Sequence, residues 1–200
     1  MKPMFAAIVL VVLGCATASG FDATTEAITT RYKAQKPVSA ADLADLMRSS
    51  ERWCYAEENG QCSWSDVYLD VSADEARFEI TNAWSETVDL SFVDKGVFSN
   101  QNQICETGQD WTDTVHARNR SDGTAVTGRE LEAIKDELIA NGRDGEIDCF
   151  DYLYQSADAA LQTVSLLQRQ YRGDVHQADA DVLVTLHFDP ETARALTMRW

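Results

Sequence analysis

Aromatic and acidic side chains alternate along one short stretch of this sequence and are its clearest candidates for chemistry. Trp64, Asp66, Tyr68 and Asp70 are spaced two positions apart, and residues at that spacing share one face of a β-strand. Rings with carboxylates beside them suit the binding of a saccharide or a cation. The alternative is that a helix or loop covers this face, so that the rings pack as a second layer of the core.

Catalytic chemistry has less support in the sequence. The chain contains no Gly-x-Ser-x-Gly, His-Glu-x-x-His, Walker or Gly-x-Gly-x-x-Gly motif, the patterns that position a nucleophile, a zinc ion or a phosphate. We therefore expect a non-enzymatic binding or accessory module that uses no cofactor. The alternative is a small secreted hydrolase with a carboxylate pair, for which Asp66 and Asp70 are the nominated residues.

No metal site is expected. Residues 144–151 resemble the second half of an EF-hand calcium loop, but Ala140 and Gly142 would occupy the first and third ligand positions, where side-chain oxygens are needed. Asp144, Asp148 and Asp151 alone are too few for a tight site, so the sequence predicts a turn after a helix here.

The three histidines lie far apart in the sequence, and none is four residues from another. His116 and His187 each alternate with threonines, so we expect both on polar, solvated sheet faces. His176 is close to Asp179 and Asp181, a grouping that fits either a metal-binding loop or an acidic turn.

Residues 1–18 have the three parts of a signal peptide: a positive charge at Lys2, nine apolar residues from 5 to 13, and a small-residue stretch ending in Ala-x-Ala at 16–18. A transmembrane helix would need roughly 20 apolar residues. Cleavage after Ala18 predicts a periplasmic or secreted protein. The alternative is an outer-membrane lipoprotein anchored through Cys15, because residues 12–15 (VLGC) resemble a bacterial lipobox.

The other four cysteines form an even set, which in an exported chain predicts disulfides. Cys54 and Cys62 give the shortest loop, across a turn at residues 59–60. This pairing leaves Cys105 with Cys149.

Charge limits the partners. The formal net charge of the 200 residues is −16, which argues against nucleic acid and against anionic lipid surfaces. An envelope protein or a glycan remains as the expected partner.

The predicted fold class is α+β: an antiparallel sheet meander with two or three helices, stabilised by disulfides. Residues 19–38 have no sustained period and predict a tether, and residues 39–200 predict a single domain. Helices are expected at 40–52, lying on the sheet, and from a capping box at residues 127–130 through Ile139, with a stop at residues 141–142.

Period-two alternation predicts three consecutive strands around residues 67–71, 78–80 and 88–92, with Val67, Leu69 and Val71 on the buried face. A further strand is expected at 182–188, followed by a turn and a last strand at 195–200. The segment 157–172 fits either a helix or a hairpin arm, and its capping residues favour the helix.

Overall fold

The structure is a computed structural model that describes residues 20–108, 110–141 and 147–200, without the side chain of residue 141. The predicted signal peptide at 1–18, the lipidation site at Cys15 and the calcium-loop residue Asp144 lie outside the described residues. Those three interpretations stay predictions.

The predicted α+β class with an antiparallel sheet is confirmed: the described residues form fourteen strands and four α-helices. The helices are α1 (Ala23–Arg31), α2 (Ala40–Ser49), α3 (Arg129–Asn141) and α4 (Pro190–Ala195). The strands are β1 (Lys36–Pro37), β2 (Arg52–Tyr55), β3 (Gln61–Cys62), β4 (Trp64–Val71), β5 (Glu75–Ala83), β6 (Val88–Ser99), β7 (Gln103–Glu106), β8 (His116–Asn119), β9 (Ala125–Val126), β10 (Asp148–Asp158), β11 (Thr163–Arg172), β12 (Val175–His176), β13 (Val182–His187) and β14 (Thr197–Met198).

Eight of these strands form a closed ring. The order β10-β11-β13-β2-β4-β5-β6 is antiparallel throughout, and β7 pairs with both β6 and β10 to complete the circle. At this seam Ile104 lies between Phe98 of β6 and Phe150 of β10. Alternate residues of every strand therefore point into one interior, which in an eight-stranded ring is either filled by side chains or holds one small ligand.

Both predicted disulfides are confirmed: one joins two paired strands of the ring, and the other joins the ring to the separate two-stranded sheet of β3 and β14. Cys105 of β7 pairs with Cys149 of β10, directly opposite each other at the seam of the ring. Cys54 of β2 pairs with Cys62 of β3 across a tight turn. The longer link therefore closes the circle covalently as well as by hydrogen bonds.

Helix α2 covers one end of the ring, here called the closed end. The backbone N–H of Ala40 donates to the carbonyl of Gln101 in the β6–β7 turn (2.7 Å), and Arg48 donates to the carbonyl of Val71 at the end of β4 (3.3 Å). The helix begins at Ser39, whose hydroxyl accepts from the Asp42 N–H, as the capping pattern predicts. Its buried face fills this end of the ring with Leu43, Ala44, Leu46 and Met47.

The predicted tether at 19–38 is wrong, because this segment is packed against the domain. Helix α1 begins at its N-cap Asp22, and Ile28 is 1% exposed. The Tyr32 hydroxyl donates to the Asp42 carboxylate of α2 (2.6 Å). α1 has a weak apolar periodicity, so its stability comes from a cap and from packing on α2, which a local pattern does not reveal.

The helix favoured at 157–172 is also wrong, because β10 and β11 form a long hairpin there. Val164 and Leu166 point into the ring and are fully buried. The side chains alternate as in the hairpin alternative, and pairing with β13 on the other edge of β11 stabilises the strand. Between 189 and 200, α4 replaces the predicted turn, and β14 is a short strand parallel to β3.

A second apolar cluster lies outside the ring. Helix α3, where the capping box predicted it, packs through Ile134 on a layer that includes Leu90 of β6, Ala117 of β8 and Val126 of β9. Within the described residues, no helix is both long enough and apolar enough to cross a membrane.

Candidate functional site

The ring holds a cavity of about 240 Å³ in the half that lies away from α2. Residues from seven strands of the ring line it: β2, β4, β5, β7, β10 and β11 contribute side chains, and β6 contributes Gly96. Two aliphatic side chains, Ile80 and Ile104, complete walls that are mostly aromatic. The aromatic lining residues are Tyr55, Trp64, Tyr68, Phe78, Phe150 and Tyr152.

Three of the four residues predicted to share a strand face do line this cavity: Trp64, Asp66 and Tyr68. The face is the interior of the ring. The indole of Trp64 stacks on Tyr55 with ring centroids 4.7 Å apart, and Tyr68 meets Trp53 edge to face at 5.1 Å. The rings are therefore part of the core packing and part of the cavity wall at the same time.

Asp70, the fourth predicted residue, does not join them. A bulge in β4 shifts the register, so that Tyr68 lies opposite Phe78 while Asp70 lies opposite Arg77. The extra residue, Leu69, is 47% exposed and not buried as predicted. Asp70 is exposed outside the ring and Val71 returns to the core. Asp66 and Asp70 are thus separated by the sheet, and the pair nominated for a hydrolase is not assembled.

Asp66 lies at the inner part of the cavity and is 5% exposed. The Tyr55 hydroxyl donates to its Oδ2 atom (2.8 Å), whereas its Oδ1 atom has no hydrogen-bond partner within the described parts of the chain. Burial raises the pKa of the Asp66 carboxyl to about 7; the Tyr55 hydrogen bond opposes this rise, and the nearby Asp94 carboxylate adds to it. Such a carboxylate is costly to keep ionised, since burial removes most of its hydration and one of its oxygens lacks a donor among the described residues.

Tyrosine hydroxyls surround this carboxylate. Burial raises the pKa of Tyr55 and of Tyr68 well above the usual tyrosine range, with the negative charge of Asp66 contributing to each. Both phenols therefore stay neutral and keep a proton to donate. The third, Tyr152, accepts a hydrogen bond from the Gln168 amide (2.7 Å), which holds its ring in the cavity wall.

The cavity opens at the end of the ring opposite α2, here called the open end. β7 ends there with Glu106, β10 begins with Asp148, and Ala180 stands beside them in the 3₁₀ turn Ala178–Ala180. The carboxylate of Asp148 accepts from Gln170 (2.6 Å) and from Arg172 (3.2 Å). Asp66, Glu106 and Asp148 give the described lining three carboxylates, and no lysine, arginine or histidine lines it.

The remaining predicted metal candidates are engaged with other protein groups. Asp148 is paired as described above. Asp151 accepts two hydrogen bonds from the guanidinium of Arg169 (2.8 and 2.5 Å). His176 lies 2.7 Å from the Asp181 carboxylate, in an exposed loop. The side chain of His116 is 40% exposed.

His187 is buried, 4% exposed, and not solvated as predicted. Its Nε2 atom lies 2.9 Å from Glu57, while its Nδ1 atom has no partner among the described residues. His187 is at the end of β13, beside α4, and this location buries a side chain that alternation alone assigned to a polar face. Cys54 lies near enough to complete a three-residue metal group with Glu57 and His187. Its sulfur is in a disulfide, so only two ligands remain, fewer than the three protein ligands of a catalytic zinc site.

Comparison with known proteins adds no assignment to this geometry. No protein-family model matches the chain, and no curated protein or solved structure matches it. The function is therefore argued from the cavity and the side chains that line it.

Proposed function

We propose that this protein is a non-enzymatic binding protein of the cell envelope that holds one small ligand inside its closed sheet. The observation that carries the proposal is the cavity of about 240 Å³, walled by aromatic rings and supplied with a few polar atoms. Binding sites for small molecules have this composition: mostly apolar walls with a small number of polar groups that orient the ligand.

The cavity sets the size of the ligand. A protein cavity of about 150 Å³ accommodates benzene, so by proportion a space of about 240 Å³ accommodates about ten non-hydrogen atoms. Trp64 and Tyr68 face this interior and not the outer surface. Their position favours a small molecule over an envelope protein or a glycan chain as the ligand.

We also propose that the protein is exported. Two disulfides persist in an oxidising compartment and are rare in the cytosol, and residues 1–18 have the pattern of a signal peptide. The proposed product begins near Ser19 and is periplasmic or secreted, with the lipoprotein anchored at Cys15 as the alternative. Intact mass of the protein from the producing cells distinguishes the two forms, and retention of residues 1–13 contradicts both.

Binding inside the ring is tested by blocking the open end. Ala180 lines the cavity and Ala178, in the same 3₁₀ turn, does not. Calorimetric titration with 2-phenylethanol and its charged analogues should show saturable binding to the wild type, with a Kd of roughly a millimolar or below for the best of them.

The two variants form a matched pair, since each adds one indole to the same turn. Ala180→Trp should abolish the binding, and Ala178→Trp should leave it unchanged. Equal binding by the two variants would mean that the probe binds outside the ring, which contradicts the proposal.

A further inference from the structure

We propose that the ligand is a primary organic amine in its protonated form, whose ammonium group binds Oδ1 of Asp66 while its apolar part fills the aromatic cavity. This inference rests on the proposed function, since it names the class of ligand for the same site.

The unused oxygen of Asp66 is the first argument. Asp66 lines the cavity with 5% of its surface exposed. Its Oδ2 atom accepts a hydrogen bond from Tyr55, and its Oδ1 atom has no partner among the described residues. Buried polar atoms are nearly always hydrogen-bonded, so an unpaired carboxylate oxygen at a cavity wall fits a donor supplied by a ligand.

The sign of the charge in the lining is the second argument. Asp66, Glu106 and Asp148 are acidic, and the described lining residues include no cationic side chain. The Asp148 carboxylate already has a guanidinium partner, Arg172. A ligand cation is therefore attracted most strongly to Asp66, whose charge has no counter-ion among the described residues, and an anionic ligand is repelled.

The aromatic rings are the third argument. Trp64 and Tyr55 stack on each other beside Asp66, and Tyr68 and Tyr152 complete the wall around it. The faces of such rings attract a cation within about 6 Å of the ring centroid. The apolar remainder of the ligand would contact Phe78 and Phe150, which line the same cavity.

A primary amine fits better than a quaternary ammonium ion, because Oδ1 needs an N–H donor. A neutral alcohol can donate one hydrogen bond but does not compensate the buried charge. When Asp66 is ionised, a hydrogen bond to its carboxylate is charge-assisted with either donor, but only the ammonium also compensates the buried negative charge. The ammonium should therefore bind more tightly than an alcohol of the same shape.

The inference predicts a pH dependence with a defined direction. The titratable groups that face Asp66 are Tyr55 on β2, Tyr68 on its own strand, Asp94 on β6 and Tyr152 on β10. The phenols stay neutral, and Asp94, like Asp66, has a pKa raised by burial. An alkylammonium keeps its proton to about pH 10, as lysine does. With the pKa of Asp66 at about 7, binding of the ammonium should be about tenfold weaker at about pH 6 than at about pH 8, with proton release on binding near neutral pH.

The experiment compares three probes of similar shape: 2-phenylethylammonium, 2-phenylethanol and phenylacetate. Titration calorimetry of the whole exported protein at about pH 8 should rank them in that order. Because only the ammonium neutralises the charge of Asp66, we expect it to bind roughly thirtyfold more tightly than the alcohol, a ratio that corresponds to about 2 kcal/mol.

Two isosteric variants on the same strand locate the contact. Asp66→Asn should remove the preference for the ammonium, so that the ammonium binds no more tightly than 2-phenylethanol, and the remaining binding of either probe shows that the variant is folded. Asp70→Asn removes the same charge on the outside of the sheet and should change neither affinity. An equal loss in both variants would overturn the assignment to Asp66.

The outcomes separate this inference from the proposed function. If 2-phenylethanol binds as tightly as the ammonium at about pH 8 and Ala180→Trp abolishes both, the amine inference is wrong and cavity binding stands. If none of the three probes shows saturable binding, the proposed function itself is contradicted. The wild-type pH profile needs no variant, so the inference can be tested even if Asp66→Asn does not fold.

Discussion

The two ends of the closed sheet are filled in different ways. At the closed end, Leu46 of α2 packs with Val164 and Leu186, and all three are completely buried. At the open end, the inward positions carry Tyr55, Asp66 and other polar or aromatic residues, and a cavity remains between them. The same ring of strands thus has an aliphatic core at the closed end and a polar, aromatic cavity at the open end.

The difference shows what a helix contributes to such a ring. α2 places its apolar face against the closed end and supplies the volume that the strands lack there. At the open end, the described lining outside the strands comes from the 3₁₀ turn Ala178–Ala180, through Ala180. Stacked rings and paired polar groups, such as Gln168 with Tyr152, hold the walls of the space. Close packing stabilises the closed end. At the open end, packed side chains surround Asp66, one of whose oxygens lacks a hydrogen-bond partner among the described residues, and this arrangement is suited to binding.

The largest expected effect concerns Asp66 and the pH dependence of stability. Its pKa of about 7 in the folded protein lies above the ordinary value of 3.8, so between these values the native state keeps a proton that the unfolded state releases. The free energy of unfolding should therefore fall as pH rises, by roughly 4 kcal/mol in total, with no further loss above about pH 7. Urea unfolding of Asp66→Asn should lack this component.

Asp70→Asn is the matched control, since its side chain is exposed on the same strand. It should follow the wild type between about pH 4 and about pH 8. Because Asp94 has a pKa raised by burial as well, the informative quantity is the difference between wild type and Asp66→Asn. If the curves of wild type and Asp66→Asn run parallel, the pKa of Asp66 is not raised in the folded protein. The contrast between the two ends would then have no electrostatic basis.

The second prediction compares the disulfides. Cys105–Cys149 spans 44 residues and closes the ring, whereas Cys54–Cys62 spans 8. The chain-entropy model gives roughly 4 kcal/mol for the longer link and roughly 2.5 kcal/mol for the shorter one. Denaturant unfolding of the two double-alanine variants should show this order, and the reverse order would mean that the seam is held mainly by its hydrogen bonds.

The third prediction concerns the closed end alone. Leu46→Ala leaves a hole in a completely buried position and should lower the free energy of unfolding by about 3 kcal/mol. The affinity for 2-phenylethylammonium should not change, because Leu46 does not line the cavity. Leu69→Ala, at the half-exposed bulge position, is the control and should stay within about 0.5 kcal/mol of wild type. A large change in affinity in Leu46→Ala would show that the two ends are coupled.

The smallest expected effect on stability is that of Trp64→Ala. Trp64 is only partly buried, and its main ring contact is the stack on Tyr55, so the loss should be roughly 1–2 kcal/mol. Binding of 2-phenylethylammonium should weaken about tenfold, since one wall of the cavity and a cation–π contact are lost together. Trp200→Ala, at an indole that is 67% exposed, should change neither quantity. An unchanged affinity for 2-phenylethylammonium in Trp64→Ala would show that the indole contributes to the core packing and not to binding.

Local patterns account for much of the molecule. Amphipathic spacing and a capping residue predict α2, because Leu43 and Leu46 recur at helical intervals after Ser39. Loop length and cysteine parity predict both disulfides. Local patterns do not predict helix α1 or the β10–β11 hairpin, because the stability of both depends on neighbours that are distant in the sequence.

For the site, the sequence by itself determined that Trp64, Asp66 and Tyr68 share one strand face, because side chains alternate across a strand with a period of two. It did not determine that this face is the interior. That was decided by β7, which pairs with both β6 and β10 and closes the ring. Tertiary structure also decided that Asp70 lies outside, since the bulge at Leu69 appears only in the pairing of β4 with β5. Periodicity is a local property of the sequence, whereas strand register and ring closure depend on which strands pair. Closure of the ring encloses Asp66, and this burial raises the pKa of its carboxyl.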